Sequence, residues 1–409
     1  MNTTNKIKLS SMMFLEFFIW GAWFVTLGTF LGTNLKASGA ETAAVFSTQS
    51  WGAIIAPFII GLIADRYFNA ERILGVLHLV GAFLMYQMYQ SSDLSSFYIY
   101  VFSYMVLYMP TLALVNSVAF NQMKDPEKEF SSIRVWGTIG WIVAGLSISY
   151  VFHWDSVESL ASGMLKNTFL LAGIAALVLG LLSFTLPATP PKVSDEKIKI
   201  GDIIGLDALK LLKDKNFAVF FISSILICIP LAFYYQNANP FLTESGLENP
   251  TGKMAIGQIS EALFLLLIPV FFTKYGFKKT ILVGMLAWAL RYALFAYGNG
   301  GELSFMLIIG IALHGICYDF FFVSGQIYTN SKAGDKYKSA AQGLITLATY
   351  GVGMLIGFAV AGWITDNYKT ATGTINWEMV WIIPAGIALA VFVLFALTFN
   401  EKNKTEVSH

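Results

Sequence analysis

Ionisable side chains interrupt otherwise apolar stretches at Glu16, His78, Arg134, Glu261, Arg291, His314 and Asp319. In hydrocarbon each costs several kcal/mol unless it meets water or a partner, so each marks a wet cavity, an ion pair or a proton path. Their spacing groups them. Arg134, Thr138 and Trp141 follow i, i+4, i+7 and share one helix face; Gln258 and Glu261 are i, i+3 neighbours; His314 and Tyr318 are i, i+4, with Asp319 adjacent. A cavity walled by a cation, two carboxylates, an amide and aromatics suits a ligand with many hydroxyls and a flat, stackable ring.

Plainer roles compete with these. Arg134 near a helix end also suits snorkelling to headgroups, and Glu261 and Asp319, too deep for that, divide between structural ion pairing and substrate or proton work. His78 and Arg291 read as packing or interface residues. Most Trp and Tyr read as interfacial belt, with Trp141, Tyr318 and Trp20 the exceptions. Cys228 and Cys317 fall inside apolar runs and read as buried hydrophobes without a disulfide. With no metal-ligand spacing, phosphate loop or nucleophile triad, the sequence points away from an enzyme, a cofactor and a bound metal. A net charge of +1 gives no argument for nucleic acid.

The elements that must position these residues are membrane spans. The 409 residues are 56% hydrophobic and 12% charged, too few charges to clothe a soluble surface. Apolar windows of about 20 residues predict twelve helices, at 9–31, 42–64, 73–90, 97–119, 131–152, 166–186, 216–241, 253–273, 279–298, 303–325, 338–364 and 378–399. The first run exceeds a signal-peptide core and lacks a small-residue cleavage site, so it is read as a span. Of the 26 Lys and Arg, only Lys36, Lys166, Lys253 and Lys369 fall in the loops after odd spans, and Arg134 and Arg291 lie within spans. The remainder crowd the other face, which predicts both termini cytoplasmic. The polar stretch 187–215, opening on Pro187, Pro190 and Pro191, divides an N-terminal half (1–186) from a C-terminal half (216–409). Two six-helix halves facing each other place a substrate near the midplane between them.

The loop after the second span, from Gly61 through Asp65 and Arg66 to Arg72, resembles the G-x-x-x-D-R-x-G-R-[RK] signature of the major facilitator superfamily, with Phe68 replacing the second glycine. Lys274, Gly276, Lys278 and Lys279 repeat part of it after the eighth span. Asp65 and Arg66 are thus expected to latch one conformation by pairing across the bundle. Further stretches are similar to the nucleoside:H+ symporter family of that superfamily: Phe14–Trp23, Tyr108–Asn116, Ile133–Gly140, Gln258–Phe264, Leu290–Gly298 and Tyr318–Phe321, with the terminal Val407, Ser408 and His409.

The resemblance implies an all-α transporter importing nucleosides such as uridine or adenosine with protons across a bacterial inner membrane. Position by position it implies nucleoside contacts from Arg134, Thr138 and Trp141 in one half and Gln258, Glu261, His314 and Tyr318 in the other, with Glu261 and Asp319 coupling the proton. Glu16 stands where the family pattern has Gln and is a further carboxylate for that role; His314 stands where it has Tyr. A lipid-embedded monomer is expected. The rival readings are a sugar or polyol symporter of the same fold and a membrane solute sensor that no longer transports.

Overall fold

The computed structural model describes residues 3–59, 68–125, 129–191 and 206–400. The latch pair Asp65 and Arg66, most of the loop signature, and Val407–His409 lie outside the described residues. Every expected span is helical where it is described. The helices are α1 (Thr3–Thr33), α2 (Gly39–Ile59), α3 (Ala70–Gln90), α4 (Leu94–Asn121), α5 (Ser131–Leu146) and α6 (Met164–Ser183) in the first half. In the second half Lys215–Glu244 is α7, and Pro250–Tyr297 is divided at Gly276, whose φ of 76° favours glycine, into α8 (250–275) and α9 (277–297). Ser304–Gly334, Ala340–Asn367 and Trp377–Thr398 are α10, α11 and α12.

Local chemistry starts these helices where the apolar runs begin. Asp93 accepts from the Ser96 N–H at 2.9 Å at the head of α4, and that hydrogen bond holds its carboxyl below the usual range. Asp214 does the same for α7 through the Phe217 N–H at 2.9 Å, and Asn376 for α12 through the Met379 N–H at 3.3 Å. The outer surface stays apolar, with Leu266 75% and Leu397 76% exposed, as lipid-facing helices require.

Within the first half α1 packs on α5 and α6, α3 on α4 and α6, and α2 on α4; in the second, α9 packs on α12 and α7 on α11 and α12. The halves meet chiefly through α2 with α11, α5 with α8, and the end of α1 with α7. Three of these helices widen to a π turn: α5 at Ser147–Val151, α10 at Asp319–Val323 and α11 at Leu347–Gly353. Such turns aim side chains that a regular helix would point elsewhere, and they cluster at functional sites.

The halves are fastened at the face carrying the α1–α2, α5–α6, α7–α8 and α11–α12 connections. Asp366, ending α11, accepts from the Gly39 and Ala40 N–H groups that start α2, at 2.6 and 2.8 Å. Asp155, beyond the π turn of α5, accepts from the Thr251 N–H that starts α8 at 3.1 Å; Ser149 donates to Asp155 at 2.5 Å and accepts from the Gly252 N–H at 2.7 Å. Thr29 adds a 2.5 Å bond to Asn239. Helix N-termini present unpaired N–H groups and a partial positive charge, so a carboxylate is the apt partner. Lys36 (φ 54°) and Asn249 (φ 51°) turn the chain through the left-handed region before each of these helix starts. Gly39 and Gly362 touch backbone to backbone: a Cβ on either would sit 2.4 Å from the other's carbonyl oxygen.

Asp366→Asn keeps one acceptor but loses the charge, a difference of about 1–2 kcal/mol. It should shift the closed-to-open ratio at this face about tenfold toward open. Spin-label distances between the ends of α2 and α11 check this; an unchanged distribution means that the carboxylate does not hold the face.

Candidate functional site: a cavity between the halves

A cavity opens beneath this seal, lined by Phe24 and Trp141 from the first half and Tyr234, Tyr235, Met254, Gln258 and His314 from the second. Its second-half wall depends on close approach of α8 and α10. A Cβ on Gly315 would sit 2.5 Å from the Ser260 carbonyl, and one on Gly257 would sit 3.2 Å from the His314 Cβ. Ser260 also donates to the Ala312 carbonyl. That approach sets Gln258 and Glu261 beside His314, whose Nε2 lies 3.7 Å from Glu261 Oε2.

From the first half, Arg134 lays its guanidinium over the Phe17 ring, 4.1 Å from the centroid. It lies within electrostatic reach of Glu261 and Tyr318 across the cavity. Its guanidinium is thus turned toward the second half. Trp141 stands edge-on to Trp20 (5.6 Å), and Thr138 is half-buried on the same helix between Arg134 and Trp141. Tyr318 stacks on His314 at 5.7 Å and shares a hydroxyl–hydroxyl hydrogen bond with Tyr350 on the π turn of α11. Asp319 opens the π turn of α10; it is buried, its Oδ2 has no hydrogen-bond partner, and Glu261 is its electrostatic neighbour. Glu261 keeps 27% of its side chain exposed. The site therefore holds one carboxylate that water can wet and one shut away from it.

Glu16 is elsewhere. It is fully buried in the first half, its Oε2 2.8 Å from His78 Nε2 and its Oε1 accepting from Thr111 at 2.6 Å. His78 thus has a partner that packing alone would not require. Tyr108 donates to the Glu16 carbonyl at 2.8 Å and packs on Trp20 at 5.6 Å, which joins this buried pair to the Trp141 wall.

Sequence reasoning missed Tyr234, Tyr235, Tyr350, Phe17 and Arg291. The Tyr234-Tyr235 pair in mid-span was the available signal, since belt aromatics belong at span ends. Arg291, fully buried with its guanidinium 3.5 Å above the Tyr234 ring, does more than pack. Among the described residues no cluster of His, Cys, Asp and Glu is arranged to hold a metal.

The sequence pattern of the family described as Nucleoside H+ symporter matches residues 1–404. The chain belongs to that family. YegT of Escherichia coli is 43% identical over 98% of this chain and 95% of its own length. The xanthosine permease of Escherichia coli is 32% identical over 98% and 97%. The crystal structure of the nucleoside transporter NupG superposes with a TM-score of 0.86 at 30% identity, covering 99% of this chain and all of that one. The nucleoside symporter is thus a twelve-helix protein of the major facilitator fold that couples nucleoside movement to protons, and it is a transporter and not an enzyme.

Proposed function

We propose that the chain imports nucleosides by alternating access, with residues 1–186 and 216–409 rocking as two units joined by 187–215. Both termini then face the cytoplasm of a bacterial inner membrane, the sealed face is periplasmic, and the cavity described above opens inward. The unit is a monomer embedded in lipid. The observation that carries this reading is that Arg134 of one half and Glu261 of the other lie within electrostatic reach of each other, bordered by aromatic faces. Arg134, Thr138 and Trp141 hold the nucleoside from one side; Gln258, Glu261, His314 and Tyr318 hold it from the other. Amide, carboxylate and hydroxyl groups match ribose hydroxyls, and the rings match the base.

Coupling follows from charge. A carboxylate released from Arg134 when the halves part must be hydrated or take a proton before the cavity dries. Proton and nucleoside together complete the closed site, so each carries the other down its gradient. Labelled uridine uptake in cells lacking their own permeases, with and without a protonophore, tests the reading. Accumulation that a protonophore abolishes is expected; uptake of glucose but not uridine favours the sugar symporter, and binding without accumulation favours the sensor.

Arg134→Lys should cut transport strongly, by about tenfold or more, since a point charge cannot replace a planar fork of donors. Full activity in the Lys variant would mean that charge alone suffices. Trp141→Ala should raise the apparent binding constant about tenfold, as stacking is worth about 1–3 kcal/mol per base, and Trp141→Phe much less. Equal losses in a binding titration would point to the indole N–H.

A further inference from the structure

Arg291 makes its hydrogen bond to the site through an unusual acceptor. Its Nη1 lies 3.1 Å from His314 Nδ1, while its Nε and Nη2 have no hydrogen-bond partner. Arginine carries donors only and keeps its proton, so an imidazole nitrogen at that distance must offer a lone pair. The ring is clamped in the same pose by stacking, on Tyr234 at 5.4 Å with 25° between planes and on Tyr318 at 5.7 Å with 28°. The guanidinium caps the outer face of Tyr234.

We propose that Arg291 is a positioning residue that holds His314 as the neutral tautomer protonated on Nε2, making it a fixed hydrogen-bond donor on the cavity side. Nε2 is the nitrogen that looks toward Glu261. A second proton on the ring would set an imidazolium directly against the guanidinium, so His314 does not carry the coupled proton; that work is left to the carboxylates. The ionisable groups around the imidazole are Arg291 from α9, Tyr234 from α7, Glu261 from α8, and Cys317 and Tyr318 on its own helix; Arg134 of α5 faces Glu261 beyond. Resting on the nucleoside site above, the fixed donor selects an acceptor on the cargo, a ribose oxygen or a base carbonyl or ring nitrogen, and disfavours a donor there.

The tautomer is directly readable. The chain has four histidines, so the full-length protein labelled with 15N-histidine in lipid nanodiscs gives few ring signals, and His314→Gln assigns those of position 314. From about pH 5.5 to 8, the window in which an ordinary imidazole changes charge, position 314 should keep one bare nitrogen, Nδ1, and one protonated nitrogen, Nε2. In Arg291→Met the same signals should average between the two tautomers. Nucleoside exchange by that variant should show KM raised about three- to tenfold with kcat little changed, and adding Arg291→Met to His314→Gln should raise KM no further. A wild-type ring protonated on Nδ1, an imidazolium at pH 6, or tautomer signals that Arg291→Met leaves unchanged overturns the proposal. The wild-type spectrum decides even if the variant fails to fold. If the tautomer is as stated but no nucleoside binds, the cargo reading fails and the positioning role stands.

Discussion

Glu261→Gln is expected to abolish uphill nucleoside uptake: in proteoliposomes with an imposed pH gradient, acid outside, the ratio of internal to external uridine should settle at about one. Gln keeps the shape and one acceptor of Glu261 but can neither titrate nor balance Arg134. Binding should weaken as well, by about ten- to a hundredfold, because hydrogen bonds to a charged group are worth about 1.5–3 kcal/mol. The partly exposed setting of Glu261 makes it the group that meets both cargo and water. Uphill uptake at the wild-type level in the Gln variant would remove Glu261 from coupling.

Asp319→Asn should separate binding from coupling. Its carboxyl is buried on the π turn of α10 with one oxygen unpartnered, an arrangement that a charged group tolerates only when hydrated or paired. The neutral amide satisfies that environment permanently. Nucleoside exchange, which needs no net proton movement, should remain measurable, while accumulation driven by a pH gradient falls to background. Proton-dependent accumulation in the Asn variant would make Asp319 structural and return the proton to Glu261 or to Glu16, whose His78 and Thr111 partners lie outside the cavity.

Much of this site was legible because membrane spans make charge conspicuous. Glu261, Asp319, Arg134 and His314 stand out in apolar runs, and helical periodicity placed Thr138 and Trp141 beside Arg134. What periodicity could not give was local departure from it. The π turns at Asp319 and Tyr350 re-aim those side chains, and nothing in Asp319-Phe320-Phe321-Phe322 marks an extra residue in the turn. Arg291 was read as packing because its partner, His314, is a neutral ring on another helix and not a carboxylate at a helical spacing. The seal was invisible for a related reason: Asp155 and Asp366 act on backbone N–H groups, which carry no sequence signal.

The two fastenings of that seal have the same build with giver and receiver exchanged. An acid at the end of α11 holds the head of α2, and an acid past α5 holds the head of α8. Exchanging the halves maps one onto the other, α2 for α8 and α11 for α5. Because both lie at one face between two stiff bodies, the tilt that parts one parts the other. On the proposed rocking of the two halves, opening would be cooperative: both fastenings made or both broken, so that a lesion in either would change the frequency of opening without creating a leak in which one side of the pore stands ajar.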